Sequence, residues 1–231
     1  MSYEAVVFDT DVLTRRTPIE TRRAAVSAAF RAFGADPELA GVDSVLHGSV
    51  GRVRTVCDRY GVDPDAFWAK REAYAAATER TAMLDGRKRL YDDVAGAFDR
   101  VAGAVGVVSN APAASVDHLL DVFDLSGRVS AAVGREPTLD GYARCLPETA
   151  YLDDALDSLG TRDALFVGDG NADLVAADRA GVDSAFVRRP ARVGYELTTE
   201  PTYELDSLAD LGAVAGTDSD GVDRPEPNRV A

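Results

Sequence analysis

Three short apolar runs along the chain each end in a polar residue. They are Glu4-Ala5-Val6-Val7-Phe8-Asp9, Ala104-Val105-Gly106-Val107-Val108-Ser109 and Ala164-Leu165-Phe166-Val167-Gly168-Asp169. Runs this short, and apolar at consecutive positions, predict strands buried on both faces, as in a parallel sheet. Weaker candidates cover Arg128 to Val133, Ser184 to Arg188 and Thr202 to Leu205. Helical spacing fills the intervals: Ala113 to Val122, Glu148 to Leu159 behind Pro147, and Asn171 to Ala180 closed by Gly181. Strand–helix repetition predicts an α/β fold with a doubly wound parallel sheet and right-handed crossovers.

The stretch from Arg15 to Met83 breaks that alternation. It contains only helical patterns, over Pro18 to Phe33, Val42 to Tyr60 and Pro64 to Arg80, and so predicts an inserted helical subdomain. The expected division is a core from residues 1–14 and 84–215, a helical insertion at 15–83, and a flexible acidic tail at 216–231. The tail is rich in Gly, Asp and Pro and lacks apolar periodicity. Phe67, Trp68 and Tyr74 fall at helical spacing and are expected in the core of the insertion. No internal repeat is evident.

Charge narrows the partners. The 231 residues carry 39 acidic and 25 basic side chains, a formal net charge of −14. Only Lys70 and Lys88 are lysine. Acidity does not require lysine depletion, so this surface suggests a protein adapted to high salt, where self-repulsion is screened. It repels nucleic acid, whose backbone needs basic partners. No run approaches the roughly 18 apolar residues that suggest a membrane span, and the N-terminal segment lacks signal-peptide character. A cytoplasmic protein with no membrane partner is expected. Cys57 and Cys145 form no metal-ligand pair, and His47 and His118 stand far apart on helical patterns.

The polar residues that end the apolar runs carry the chemistry. Asp9 and Asp11 lie two apart just past the first strand, and like charges held that close call for a cation between them. Asp169 and Asp173 follow the third strand in Val167-Gly168-Asp169-Gly170-Asn171-Ala172-Asp173. A calcium loop fails here, because position six is Leu174 and position twelve Ala180. The segment lacks the third glycine of a dinucleotide fingerprint, and no GxxxxGK[ST] phosphate loop occurs. Magnesium, which takes a few carboxylates plus phosphate and water, fits better. Ser109 and Asn110 end the second strand and offer phosphate-binding donors. In an open α/β sheet, groups at strand carboxyl ends share one crevice.

Taken in order, these motifs resemble the haloacid dehalogenase superfamily, in its phosphoglycolate-phosphatase-like branch with a helical cap. Asp9 and Asp11 match the Asp-x-Asp motif, Ser109 the Ser/Thr motif, and Gly168, Asp169 and Asp173 the Gly-Asp-x-x-x-Asp motif. The resemblance spans roughly residues 4 to 213 and includes the insertion as the cap. It implies a Rossmann-like core and a magnesium-dependent hydrolase of small phosphate esters, acting on a phosphorylated metabolite. Asp9 would be the nucleophile that forms an aspartyl-phosphate, and Asp11 the acid and base. Ser109 and Asn110 would bind phosphate. Magnesium would be held by Asp9, the main-chain carbonyl of Asp11, Asp169 and Asp173.

Two positions depart from the family pattern. Val12 follows Asp11 where the family has glycine, which bears on the loop geometry. Leu146 precedes Pro147 where the family has lysine, with Arg144 and Arg135 as possible substitutes. The alternative reading is therefore a degenerate relative that binds a ligand with little turnover. A dehalogenase does not need the second Asp or a metal, and a receiver domain would not carry so large an insertion.

Overall fold

The computed structural model describes residues 2–215; the expected tail at 216–231 lies outside them. Six strands form one parallel sheet: β1 Ala5–Phe8, β2 Ala104–Pro112, β3 Ala131–Arg135, β4 Ala164–Gly168, β5 Asp183–Val187 and β6 Tyr203–Leu205. Their order is β3-β2-β1-β4-β5-β6, so the winding reverses between β1 and β4. The expected doubly wound sheet is present, and its reversal point is where such sheets open a crevice.

Side-chain alternation explains why the strands read as unbroken apolar runs. All four β1 residues are buried. Val6 and Phe8 join the core on one face with Leu165, Val167 and Phe98, while Ala5 and Val7 join the core on the other with Phe166, Leu152 and Ala176. Register then aligns the strand ends. Phe8 is paired with Val107 on β2 and with Val167 on β4. Asp9, Ser109 and Asp169 consequently emerge within about one residue of a common level.

The helices are α1 Thr10–Leu13, α2 Ile19–Arg31, α3 Leu39–His47, α4 Val50–Tyr60, α5 Pro64–Leu84, α6 Val94–Arg100, α7 Ala113–Val122, α8 Leu139–Ala143, α9 Ala150–Leu159, α10 Asn171–Ala180 and α11 Gly212–Ala215. Helices α2 to α5 all fall between β1 and β2 and build a separate apolar cluster around Phe30, Val53, Phe67 and Trp68. Tyr74 departs from the core expectation and is exposed. The single helix expected over Val42 to Tyr60 is two. Gly48 is extended, and Ser49 starts α4 by accepting from Arg52 N. The expected strands at Arg128 and Thr202 begin later, at Ala131 and Tyr203.

The two passages between the sheet and α2–α5 are tied together. Leu13 O accepts from Tyr91 N at 2.9 Å, Arg15 N donates to Arg89 O at 3.0 Å, and Thr14 forms an antiparallel bridge with Leu90. Among the described residues no helix is long and apolar enough to cross a membrane.

Candidate active site

A cavity of about 320 Å³ lies where the strand ends meet the inserted helices. Asp9, Asp11, Ser109, Asn110, Asp169 and Asp173 all line it. The site residues expected from the sequence therefore share one chamber.

Asp9 is the N-cap of α1, and its Oδ2 accepts from Asp11 N at 2.9 Å. This single helical turn carries the chain from Asp9 to Leu13, with Val12 fully buried. The glycine conformation that Val12 seemed to deny is not needed. Among the described non-glycine residues only Asp124 has a positive φ. Arg189 holds the turn from behind: it donates Nε to Val12 O at 2.9 Å and pairs with Asp93 at 2.8 Å. Ser109 Oγ lies 2.6 Å from Thr10 Oγ1 and accepts from Ala111 N at 3.1 Å, which ties the ends of β1 and β2.

On β4, Asp173 folds back from the first turn of α10. Its Oδ2 accepts from Asp169 N at 3.1 Å and Gly170 N at 3.0 Å. This is possible because residue 168 is glycine: an added Cβ would lie 2.3 Å from Asp173 Cβ. Asp9, Asp169 and Asp173 each place a carboxylate oxygen within 4.8 Å of the others, and all three are buried. The side chain of Asp11 is not part of that trio and instead pairs with Arg16 at 3.2 Å.

Burial, then repulsion from Asp173, Asp11 and Asp169, drives the Asp9 carboxyl well above the usual range. Burial and the Asp169 charge push Asp173 up to about 7. Burial also raises Asp11, against the attraction of Arg16. Such a cluster is costly without a cation.

The protein's own cations meet part of that cost, and most were not foreseen. Arg16 NH2 donates to Asp169 Oδ1 at 2.9 Å and Oδ2 at 3.1 Å, and Arg192 reaches Asp169 Oδ1 at 3.2 Å. Lys88 is buried in the cavity wall, 3.5 Å from Glu79 and 3.3 Å from Thr17 Oγ1. Leu146 does line the cavity, where the motif alignment puts it. Its main chain is gripped by Asn110, which accepts from Leu146 N at 2.7 Å and donates to Leu146 O at 3.0 Å. That grip commits the Asn110 amide side chain to the loop. Arg144 turns away, to Glu136 and Asp154 on the surface. Arg135 lines the cavity but is held bidentately by Glu72. The Arg15-Arg16 pair just after Asp-x-Asp was the one sequence signal available for the missed cations.

Residues 146–211 match the family model described as HAD-hydrolase-like. No curated protein matches the chain. Among solved structures, CbbY from Rhodobacter sphaeroides in complex with phosphate is similar at 20% identity and a TM-score of 0.69, over 91% of this chain and 96% of that one. A protein provisionally assigned as a phosphoglycolate phosphatase from Lactobacillus plantarum is similar at 18% identity and a TM-score of 0.62, over 91% and 98%. A HAD-superfamily hydrolase of subfamily IA from Geobacter sulfurreducens gives 20% identity and a TM-score of 0.58, over 91% and 98%. The carboxyl-terminal segment of the chain thus matches the HAD-hydrolase-like family model, and over nine-tenths of its length the chain shares the fold of these solved structures.

Proposed function

We propose that the protein is a magnesium-dependent hydrolase of small phosphate monoesters that works through an aspartyl-phosphate on Asp9. The observation that carries this reading is the gathering of Asp9, Asp169 and Asp173 in one buried cluster beside Ser109. CbbY, which has the same fold, binds phosphate in one structure and xylulose-(1,5)bisphosphate in another.

The three carboxylates form an all-oxygen donor set, which suits magnesium, and the raised proton affinities of Asp9 and Asp173 mark a site short of positive charge. Asp9, Asp169 and Asp173, with the Asp11 main chain, would hold the ion. When bound it supplies charge neutralisation for the phosphoryl group. Asp9 attacks phosphorus. The bond to the alcohol oxygen breaks as Asp11 gives that oxygen its proton. Burial favours the protonated acid this step needs. Water then attacks the aspartyl-phosphate, Asp11 takes its proton, and phosphate leaves. Ser109, already oriented by Thr10 and Ala111, donates to a phosphate oxygen. The helices α2 to α5 act as the cap that closes the chamber.

Phosphate release from a panel of small monoesters, in molar potassium chloride with and without magnesium, tests the reading. Release should require magnesium and fall to background in Asp9→Asn, which keeps the shape but is no nucleophile. Calorimetry should show magnesium binding that Asp169→Ala removes. Retained turnover in Asp9→Asn would exclude the covalent step. Binding of magnesium and phosphate without release would favour the ligand-binding alternative raised by Leu146.

A further inference from the structure

The turn that carries Asp9 and Asp11 is too short to hold itself. Helix α1 has four residues, Thr10–Leu13, and the closing carbonyls of a helix have no partner within it. Thr10 O is met locally, by Thr14 N at 3.0 Å and Thr14 Oγ1 at 3.1 Å. The later carbonyls are met from distant parts of the chain. Leu13 O accepts from Tyr91 N at 2.9 Å. Val12 O accepts from Arg189, from Nε at 2.9 Å and from Nη2 as well.

Arg189 follows β5, which β4 separates from β1 in the sheet. It is 5% exposed, and the same guanidinium donates to both oxygens of Asp93, at 2.8 and 3.0 Å. Asp93 also accepts from Leu208 N at 2.9 Å, and the guanidinium lies 4.0 Å over the Tyr91 ring. Arg189 stands outside the wall of the chamber that holds Asp9. Stability alone does not account for the arrangement, because a buried ion pair is often no better than apolar residues of the same volume. A planar guanidinium does what an apolar group cannot: it fixes a carbonyl, a carboxylate and an aromatic face at once. Its main chain adds a second tie. Arg189 O accepts from Arg192 N at 2.7 Å, and the Arg192 side chain reaches Asp169 Oδ1 at 3.2 Å. One short turn after β5 thus grips the Asp9 loop through Arg189 and the Asp169 loop through Arg192.

We propose that Arg189 is a positioning residue for the reaction: its grip on Val12 O sets Asp9 and Asp11 in register with Asp169, without contact to the substrate. The effect on turnover rests on the hydrolase reading; the effect on the loop does not. Val12 O lies one peptide beyond Asp11, so a loose Val12 carbonyl leaves Asp11 and its N-cap Asp9 free to shift. A misplacement of about 1 Å is expected to cost about a hundredfold in rate. Substrate affinity should change little, because no ligand contact is lost.

Kinetics and amide hydrogen exchange on the full-length protein, both well below each variant's melting temperature, test this. Arg189→Met fills the volume but donates nothing. Its kcat should fall about a hundredfold, with KM within about threefold of the wild type. Arg189→Lys keeps the charge but cannot reach Val12 O and both Asp93 oxygens together, so it should recover part of the loss and stay about tenfold below the wild type. Exchange in Arg189→Met should quicken in residues 10–14 and stay at the wild-type rate in β4. Unchanged kcat in folded Arg189→Met would leave the arginine purely structural. A raised KM with kcat unchanged would make it a binding residue, and faster exchange throughout the sheet would make the loss a general loosening. Each of these three outcomes would overturn the proposal and leave the hydrolase reading intact. If the wild type releases phosphate from no monoester, the hydrolase reading fails and exchange alone judges Arg189. Faster exchange confined to residues 10–14 would then support the grip, and unchanged exchange there would overturn it. Should Arg189→Met not fold, Arg189→Lys decides by the same measurements, wild-type kcat and exchange counting against the proposal.

Discussion

Leu146 sits at the wall of the cavity, 5% exposed, with Tyr151 and Leu152 in the same apolar cluster. A lysine there would carry its ammonium out of that cluster toward the acidic residues, which favour its charged form. Leu146→Lys is expected to raise turnover, by about tenfold for each 1.4 kcal/mol of transition-state stabilisation regained. Arg16 and Lys88 already bring positive charge to the chamber, so the gain should stay near the lower end. Arg144→Ala is expected to leave turnover within about twofold, because Arg144 pairs with Glu136 and Asp154 on the surface and touches none of the chamber. Steady-state kinetics on the two variants check both statements, and loss of activity in Arg144→Ala would overturn the second. A pH dependence follows from Asp173. Its folded pKa lies near 7 against an ordinary 3.8, so between those values the folded state holds the extra proton. Without metal, stability should therefore fall as pH rises from about 4 to 7. Thermal melts in chelator across that range would show it, and added magnesium should remove the slope. At this scale the acidic residues were legible, because two carboxylates at a strand end have few other uses. Arg16, Lys88 and Arg192 were not, since their chamber is assembled by segments far apart in sequence.

The acidic cluster is set by how β4 hands over to α10, and Gly168 is the contact that permits it. Asp173 stands against the Gly168 backbone while its carboxylate caps the turn through Asp169 N and Gly170 N. Gly168→Ala puts a methyl 2.3 Å from Asp173 Cβ, with both ends of the clash on rigid main chain. Such overpacking typically costs about 1–3 kcal/mol. The variant should melt earlier, and it should also bind magnesium more weakly, because Asp173 moves with the turn. Chemical denaturation and calorimetry on one preparation test both, and unchanged affinity would detach Asp173 from the metal. The strands and the helices α7 and α10 were legible in the sequence, the helices to the residue, because burial on both faces and a regular apolar spacing leave little choice. The break at Gly48-Ser49 carried a legible stop and cap that apolar spacing alone passed over. Helix α6 had no such signal. Its N-cap Asp93 spends its carboxylate on Arg189 and Leu208 N rather than on the helix, so tertiary contacts, not local ones, fix where it starts.

Across the whole molecule, arginine does nearly all the cationic work, since only two of the 25 basic residues are lysine. Many arginines pair with acids on the surface, as Arg23 does with Asp43, Arg128 with Asp99 and Arg162 with Asp153. Salt acts on this surface in two opposed ways. It screens the pairs, which are exposed and contribute little singly. It also screens the repulsion among the acids that no base matches, and that term grows with the net charge of −14. The Debye length falls from about 10 Å at 0.1 M to about 3 Å at 1 M, shorter than the spacing of most surface charges but close to that of a contact pair. Repulsion acts at longer range than pairing, so added salt should remove more of the first than of the second. The melting temperature should rise continuously from low to molar potassium chloride, with the steepest change at the low end, where screening length changes most. Sodium chloride should act nearly as well, since screening depends on ionic strength and not on ion identity. A flat or falling midpoint would mean that the surface pairs outweigh the excess charge, and the lysine-poor acidic surface would then not be an adaptation to salt.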